Sequence, residues 1–355
     1  MRRRPTIKDV AREARVSNVT VSRVINGSPQ VEPQTRSRVE QAMRALGYSP
    51  NLAARSMRTS LTRTVGFLVP DLTNYPNAAV AQAAEQRLAE QGYAVLLTSS
   101  DHRVDRELRL LEVLRARRVD GVVLYLCDEQ DPVLAGAVAG LDVPLVVLDR
   151  ELPAAVEADF VLSDHAKAMG ETVRYLSLLG HRRLALLLPD LRIRPVVERR
   201  RAFEAAVATV GLDPAQQSVL QIPPAAAGAV PAALTLLEDP SSPTAVIAEG
   251  SRLLRGVLLA ARAMGRRIPE DLSVVGIDAE DIASAATPEI TCILRDFGEI
   301  GRTAAELMLH RLAGRGAAAD PQQVLLPSAV VLKGSCAPPP SSMPVRPRSG
   351  PTEPC

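Results

Sequence analysis

Apolar residues in the first fifty positions recur with helical spacing. Ile7, Val10, Ala11 and Ala14 fall at i, i+3, i+4 and i+7, which makes one face of a short helix. Thr6 stands at its N-cap, and Asp9 three residues on completes a capping-box pattern with a carboxylate in the first turn. The pattern breaks at Arg15-Val16-Ser17. Ser17 suits the N-cap of a second helix running from about Asn18 to Ile25. Val21, Val24 and Ile25 point inward there, which leaves Asn18, Val19, Ser22 and Arg23 facing out. Asn26-Gly27-Ser28-Pro29 is a turn by composition, Pro33 suits the first turn of a third helix, and Gly47 stops it. Two short helices across a tight turn form a helix-turn-helix, whose second helix enters a DNA major groove. Taken alone, the same pattern also fits an ordinary helical hairpin.

The texture changes at Thr64. Short apolar runs at Val65–Val69, Ala94–Leu97, Gly121–Leu126 and Leu145–Leu148 alternate with helical stretches at Ala78–Gln91 and Asp105–Arg117. A second series has runs at Leu184–Leu188, Val219–Ile222, Ala245–Ala248 and Ser273–Ile277, again separated by helices. Such alternation predicts parallel α/β sheets, here two doubly wound lobes. The late segments Thr291–Leu294, Glu299–Leu312 and Val324–Leu326 are expected to return to the first lobe. Ligands bind such sheets at the carboxyl ends of the strands.

Charge sharpens the picture. Residues 1–60 carry 12 Arg/Lys against 4 Asp/Glu, while the whole 355-residue chain carries 42 against 40. A basic head on an acidic body points the head at a polyanion. Aromatics make up 3% of the chain and Trp is absent, so the cores are built from Ala, Val and Leu. Cys127, Cys292, Cys336 and Cys355 lack metal-ligand spacing, and the first two sit in or beside apolar runs, the usage of a reducing cytoplasm. The basic N-terminus has no apolar stretch of the signal-peptide kind, and no apolar run is long enough to span a membrane. No cofactor is expected.

The stretches TIKDVAREARVSNVTVSRVINGS and GYSPNLAARSMRTSLTRTVGFLVPD, in that order, resemble the lactose-repressor (LacI/GalR) family of bacterial transcription regulators from Thr6 to about Gly334. The resemblance implies an all-α helix-turn-helix head at 1–49 and a hinge helix or linker at 50–62. A two-lobed α/β body like that of periplasmic sugar-binding proteins follows at 63–334, with parallel sheets. Lobe 1 is expected at about 63–162 plus 291–334, and lobe 2 at about 163–290. The Pro- and Ser-rich residues from 335 to 355 are expected to be a disordered tail.

Each head position then takes a role. Asn18, Val19 and Arg23 match the family's base-reading positions. Arg grips guanine, Asn suits adenine, and Val touches a thymine methyl. Thr20 and Ser22 match phosphate-contacting positions, Asn26 lies close to the backbone, and Thr6 and Ser17 complete the DNA-binding set. In the family the hinge pushes an apolar side chain into the minor groove. Met57 stands where Leu is common, and Arg55 and Arg58 flank it near the backbone. Arg15 replaces the usual turn glycine, at a cost of about 1 kcal/mol.

The resemblance places effector contacts at Asp71, Asp149, Arg199, Ser251 and Asp278. Arg and Asp in a closing cleft clamp a small polar ligand with charge-assisted hydrogen bonds; the lesser alternative for Asp278 is a salt bridge that holds the lobes together. Four departures stand out. Glu249-Gly250-Ser251 replaces Ala-Asn-Asp, and Asn74-Tyr75-Pro76-Asn77 loses an aromatic pair. Asp278-Ala279 replaces an Asp doublet, and Arg295-Asp296-Phe297 replaces Arg-Gln-Pro. They imply an unusual effector or a cleft that has lost small-molecule binding. Leucine heptads for tetramerisation are absent, so a homodimer on a pseudo-palindromic operator in double-stranded DNA is expected, controlled by a sugar or related metabolite. A solute-binding receptor would share the body but not the basic head. An enzyme would need a phosphate loop, a metal cluster or a nucleophile elbow, and none is present.

Overall fold

The structure, a computed structural model, describes residues 5–25, 28–48, 61–224, 228–314 and 320–340. The chain divides into two compact units, Met1–Thr62 and Arg63–Cys355.

Among its described residues the first unit has three helices: α1 (Ile7–Glu13), α2 (Asn18–Ile25) and α3 (Pro33–Leu46). Their stripes meet at Val10, Val21 and Val39, each fully buried. The Asp9 carboxylate accepts from both the Thr6 backbone N–H (2.9 Å) and its hydroxyl (2.7 Å), which fixes the start of α1. Its end is a Schellman turn. Val16 N–H donates to the Ala11 carbonyl at 3.0 Å and Arg15 N–H to that of Arg12 at 3.3 Å, with Arg15 at φ 52°. The same motif ends α3, where Gly47 takes φ 62° without the Cβ penalty that Arg15 carries.

The second unit holds two six-stranded sheets. In lobe 1 they are β1 (Thr64–Val69), β2 (Ala94–Ser99), β3 (Gly121–Leu124), β4 (Leu145–Leu148), β5 (Asp159–Ser163) and β11 (Gln323–Leu326). Their order is β11-β5-β4-β3-β1-β2, all parallel. Lobe 2 has β6 (Leu184–Pro189), β7 (Ser218–Ile222), β8 (Ala245–Glu249), β9 (Ser273–Ile277), β10 (Thr291–Arg295) and β12 (Ser328–Val331). Their order is β12-β10-β9-β8-β6-β7, with only β12 antiparallel. Leaving aside the outer strand of each sheet, the two orders are the same doubly wound pattern.

Helices cover the sheets: α4 (Tyr75–Ala89), α5 (Val104–Ala116) and α6 (Pro132–Ala139) in lobe 1, and α7 (Ala166–Leu178), α8 (Arg194–Thr209), α9 (Ala229–Glu238) and α10 (Gly250–Ala263) in lobe 2. A short helix, α11 (Glu280–Ala283), follows β9, and α12 (Phe297–Ala313) packs along α4. That packing is close at Gly301, where a Cβ would lie 2.4 Å from the Val80 carbonyl oxygen. The central strands β3, β4 and β9 are buried on both faces, which is why they read as unbroken apolar runs.

Two sequence expectations change. The stretch 291–334 does not all return to lobe 1: β10 runs parallel to β9, Cys292 opposite Gly276, the chain crosses only after Arg295, and β12 comes back to pair with β10 in the lobe 2 sheet. A buried parallel strand looks the same whichever sheet it joins, so its apolar run carried no address. Nor does the ordered body end at 334. The Ser335 hydroxyl donates to the Val274 carbonyl at 2.5 Å and accepts from Thr291 N–H at 2.9 Å. The Ala337 N–H donates to Ser273 Oγ at 3.1 Å. The rest of the expected tail, residues 341–355, lies outside the described residues, as does most of the hinge at 50–62.

Candidate functional site

Two surfaces follow from the predicted residues. On α2, Ser17 is the N-cap: its Oγ accepts from Thr20 N–H at 3.1 Å and lies 2.9 Å from Thr20 Oγ1. The helix then buries Val21 and Val24 and leaves Asn18, Val19 and Arg23 exposed. Val19 is 60% exposed, so packing does not explain its apolar side chain. Thr6 is exposed and Thr20 and Ser22 are half-buried beside this face. Asn26, Arg55, Met57 and Arg58 lie outside the described residues.

The other surface is a cavity of about 750 Å³ between the lobes of the second unit, a volume that suits a small ligand. All five predicted effector residues line it: Asp71, Asp149, Arg199, Ser251 and Asp278. The topology explains this. Asp71, Asp149 and Asp278 follow the carboxyl ends of β1, β4 and β9, and Arg199 projects from α8. Glu249 and Arg295, at the ends of β8 and β10, join them. Asp71 turns back on its own loop, accepting from Thr73 N–H and Thr73 Oγ1, both at 2.7 Å. The Ser251 hydroxyl donates to Asp281 Oδ1 at 2.5 Å. Tyr75 and Tyr125 also line the cavity. The expected loss of the aromatic wall is therefore incomplete, and Tyr75 stands edge-on to Phe297 at 5.9 Å between ring centroids.

The buried floor is a chain of alternating charge. Arg295 reaches from lobe 2 to Asp149 of lobe 1, and its Nη2 lies 2.8 Å from Asp278 Oδ2. Arg199 holds Asp278 Oδ2 at 2.5 Å through Nη2 and Glu249 Oε1 at 2.6 Å through Nη1. The Ser163 hydroxyl (2.9 Å) and backbone N–H (2.6 Å) donate to Asp149, and Arg194 lies 3.5 Å from it. Burial by itself raises a carboxyl pKa. For Asp149 the Arg295 guanidinium overrides it, and for Asp278 Arg295 and Arg199 do, so both stay below the usual carboxylate range. Glu249 goes the other way: burial, reinforced by Asp278, outweighs Arg199 and raises it. His165, 3.8 Å from Asp149, is lowered to about 4 by burial and by the charge of Arg199, so it is neutral at pH 7.

Residues 6–51 match bacterial regulatory proteins of the lacI family, and residues 173–336 match the periplasmic binding protein-like domain. Catabolite control protein A of Priestia megaterium is 30% identical over 305 residues, covering 85% of this chain and 91% of that protein. The transcriptional repressor PurR of an Escherichia coli strain is 30% identical over 310 residues, with 87% and 91% covered. The chain belongs to the LacI family of bacterial regulatory proteins. Among solved structures, the Lac repressor dimer bound to operator and an anti-inducer superposes with a TM-score of 0.81 at 26% identity, covering 94% of this chain and all of the other. A complex of the transcriptional regulator CelR with cellobiose gives 0.69 at 30% identity, with the same coverage.

Within this LacI-family body the sequence reading missed two residues, Glu249 and Arg295. Both appeared as departures from the family pattern, and both occupy strand ends facing the cleft. The signal that locates them is positional: each directly ends an apolar run. The histidines are less scattered than their numbers suggest, since His102 lines the same cavity and His165 abuts its floor. His181 is structural: its Nδ1 lies 2.8 Å from Thr244 Oγ1 and its Nε2 3.0 Å from the Ala337 carbonyl oxygen. Among the described residues no group of His, Cys, Asp and Glu is placed to hold a metal ion, and no helix is long and apolar enough to cross a membrane.

Proposed function

We propose that this chain is a transcriptional repressor that binds a pseudo-palindromic operator as a homodimer and answers to a small metabolite held between its lobes. Arg23, Asn18 and Val19 read base edges from α2 in the major groove, while Thr6, Ser17, Thr20 and Ser22 hold phosphates. Asn26, Arg55, Met57 and Arg58 extend the contact toward the minor groove. Asp71, Asp149, Arg199, Ser251 and Asp278 receive the effector. The exposed Val19, on the face of α2 opposite buried Val21 and Val24, carries the DNA reading, since an apolar side chain held in solvent on a basic head suits a thymine methyl.

The relatives' names support repression, and cellobiose in the CelR complex supports a carbohydrate effector. The protein acts in the cytoplasm by binding and turns over no substrate. Effector binding changes the relation of the lobes and, through it, operator affinity. The test is footprinting on DNA upstream of the chain's own gene and its neighbours. A protected two-fold site that weakens with salt is the expected result; protection independent of sequence would remove the reading.

A further inference from the structure

The carboxylates on the cleft floor are used unevenly. Asp278 Oδ2 accepts from Arg199 Nη2 (2.5 Å) and Arg295 Nε (2.9 Å) and sits 2.8 Å from Arg295 Nη2. Its other oxygen, Oδ1, is buried and has no hydrogen-bond partner. Glu249 repeats the pattern. Its Oε1 lies 2.6 Å from Arg199 Nη1, and its Oε2 is buried without a partner. The two carboxylates are thus fastened to the two terminal nitrogens of one guanidinium, each with an acceptor oxygen left over. Asp278 and Glu249 both line the cavity, so a bound ligand can supply the missing donors.

The arginines of the floor have little left to offer. Arg295 divides its donors among Asp278, Asp149 and Ser163 Oγ, and Arg199 divides its terminal nitrogens between Glu249 and Asp278. The run Asp149–Arg295–Asp278–Arg199–Glu249 holds three carboxylates against two guanidiniums. Arg150 and Arg194 add positive charge at the Asp149 end: Arg150 donates to the Asp149 carbonyl at 2.8 Å, and Arg194 lies 3.5 Å from the Asp149 carboxylate. Counted with them the floor carries four guanidiniums against three carboxylates, but both empty acceptors stand at the Glu249 end, where Glu249 and Asp278 share Arg199. Arg252 and Arg255, in the first two turns of α10, line the same cavity, as do Asp71, Asp101 and His102.

We infer that the cleft selects an effector whose inserted end carries a protonated amine, an amino sugar rather than a neutral or phosphorylated one, with Glu249 as the specificity-determining residue. This rests on the effector-binding reading of the cleft. An ammonium brings donors and no acceptor, so it suits both empty oxygens and adds a cation beside two carboxylates that share Arg199. A hydroxyl fills one oxygen and leaves the charge. A phosphate meets carboxylates whose cations are already engaged.

The test is a thermal-shift and calorimetric comparison of the full chain with glucosamine, galactosamine, glucose, N-acetylglucosamine and glucose 6-phosphate. The amines are expected to bind and raise the melting temperature, with the neutral and phosphorylated sugars at least about tenfold weaker, a gap of about 1.4 kcal/mol. Glu249→Gln keeps an oxygen for Arg199 and removes the charge, so it is expected to abolish the preference without lowering the melting temperature of the unliganded protein. Equal or stronger binding of a neutral sugar, unchanged in Glu249→Gln, overturns the amine assignment and leaves the cleft as an effector site. Tighter binding of glucose 6-phosphate overturns it in the same way. No shift with either amine also overturns it, and loss of all sugar binding with operator binding intact removes the cleft reading as well.

Discussion

Asp149 ends β4 of the first lobe at φ 47°, Asp278 ends β9 of the second at φ 51°, and the guanidinium of Arg295 joins them. The backbone treats them alike: Asp149 N–H donates to the Val161 carbonyl and Asp278 N–H to that of Ile293, both at 2.9 Å. Both residues take a left-handed conformation that disfavours most side chains but that Asp tolerates comparatively well. The Asp149 carboxylate meets Ser163 at the neighbouring strand end as well as Arg295, while that of Asp278 meets Arg199 and Arg295. One cation then serves both lobes.

Replacing Arg295 with Met removes that cation and leaves two carboxylates buried without it. The loss is expected to be about 3–5 kcal/mol of folding stability, since breaking a buried pair strands a charge. Asp149 and Asp278 then take up protons more readily, so the deficit is expected to be smaller at pH 5 than at pH 7.5. Urea unfolding at the two pH values checks this; a deficit unchanged by pH counts against stranded carboxylates as the cause.

His165 gives the wild-type body its own acid sensitivity. Its folded pKa of about 4 lies below its ordinary 6.5, so the unfolded chain binds the proton first. Its contribution is complete above pH 6.5 and is lost as pH falls from 6.5 toward 4, by up to about 3 kcal/mol. His181, also lowered by burial, pulls in the same direction. His165→Gln is expected to flatten the fall in stability between pH 7 and pH 4.5. An identical slope in the variant would assign the fall to other groups.

Gly301 sets the spacing of α12 on α4. A Cβ there would come within 2.4 Å of the Val80 oxygen and 2.7 Å of the Ala83 Cβ. Gly301→Ala is therefore expected to cost about 1–3 kcal/mol through overpacking. Gly136 in α6 has open space around the same atom, and Gly136→Ala is expected to gain up to about 1 kcal/mol. Opposite shifts in the urea midpoint check the pair.

On the head, Arg15 holds φ 52° with a side chain in place of glycine. Arg15→Gly is expected to stabilise the three-helix unit by about 1 kcal/mol, read as a higher melting temperature by circular dichroism. No gain would mean that the guanidinium contributes as much as the backbone costs.

Arg23 is exposed on α2, as are Asn18 and Val19. Arg23→Ala is expected to cost about 1–3 kcal/mol of operator affinity and to relax the preference at one base pair, measured by fluorescence anisotropy on a set of operator variants. A uniform loss across all variants would instead place Arg23 on phosphate.

The sequence by itself determined every property that depends on local order. Valine spacing marks the inward and outward faces of α2. Apolar runs and the helices between them give two doubly wound lobes. Their positions after strands marked Asp71 and Asp149, and the resemblance to the LacI family marked Asp278. Only the tertiary structure decided properties that depend on which distant strand ends meet. Thr291–Leu294 carries the same apolar run whichever sheet it joins, and pairing with β9 is what brings Arg295 over Asp149, 146 positions away. Glu249 reads as a missing ligand until Arg199 is seen holding one of its oxygens and burial is seen isolating the other. Charge in a sequence is a count; its partner and its distance from water are set by the fold, and those decide which ligand the cleft admits.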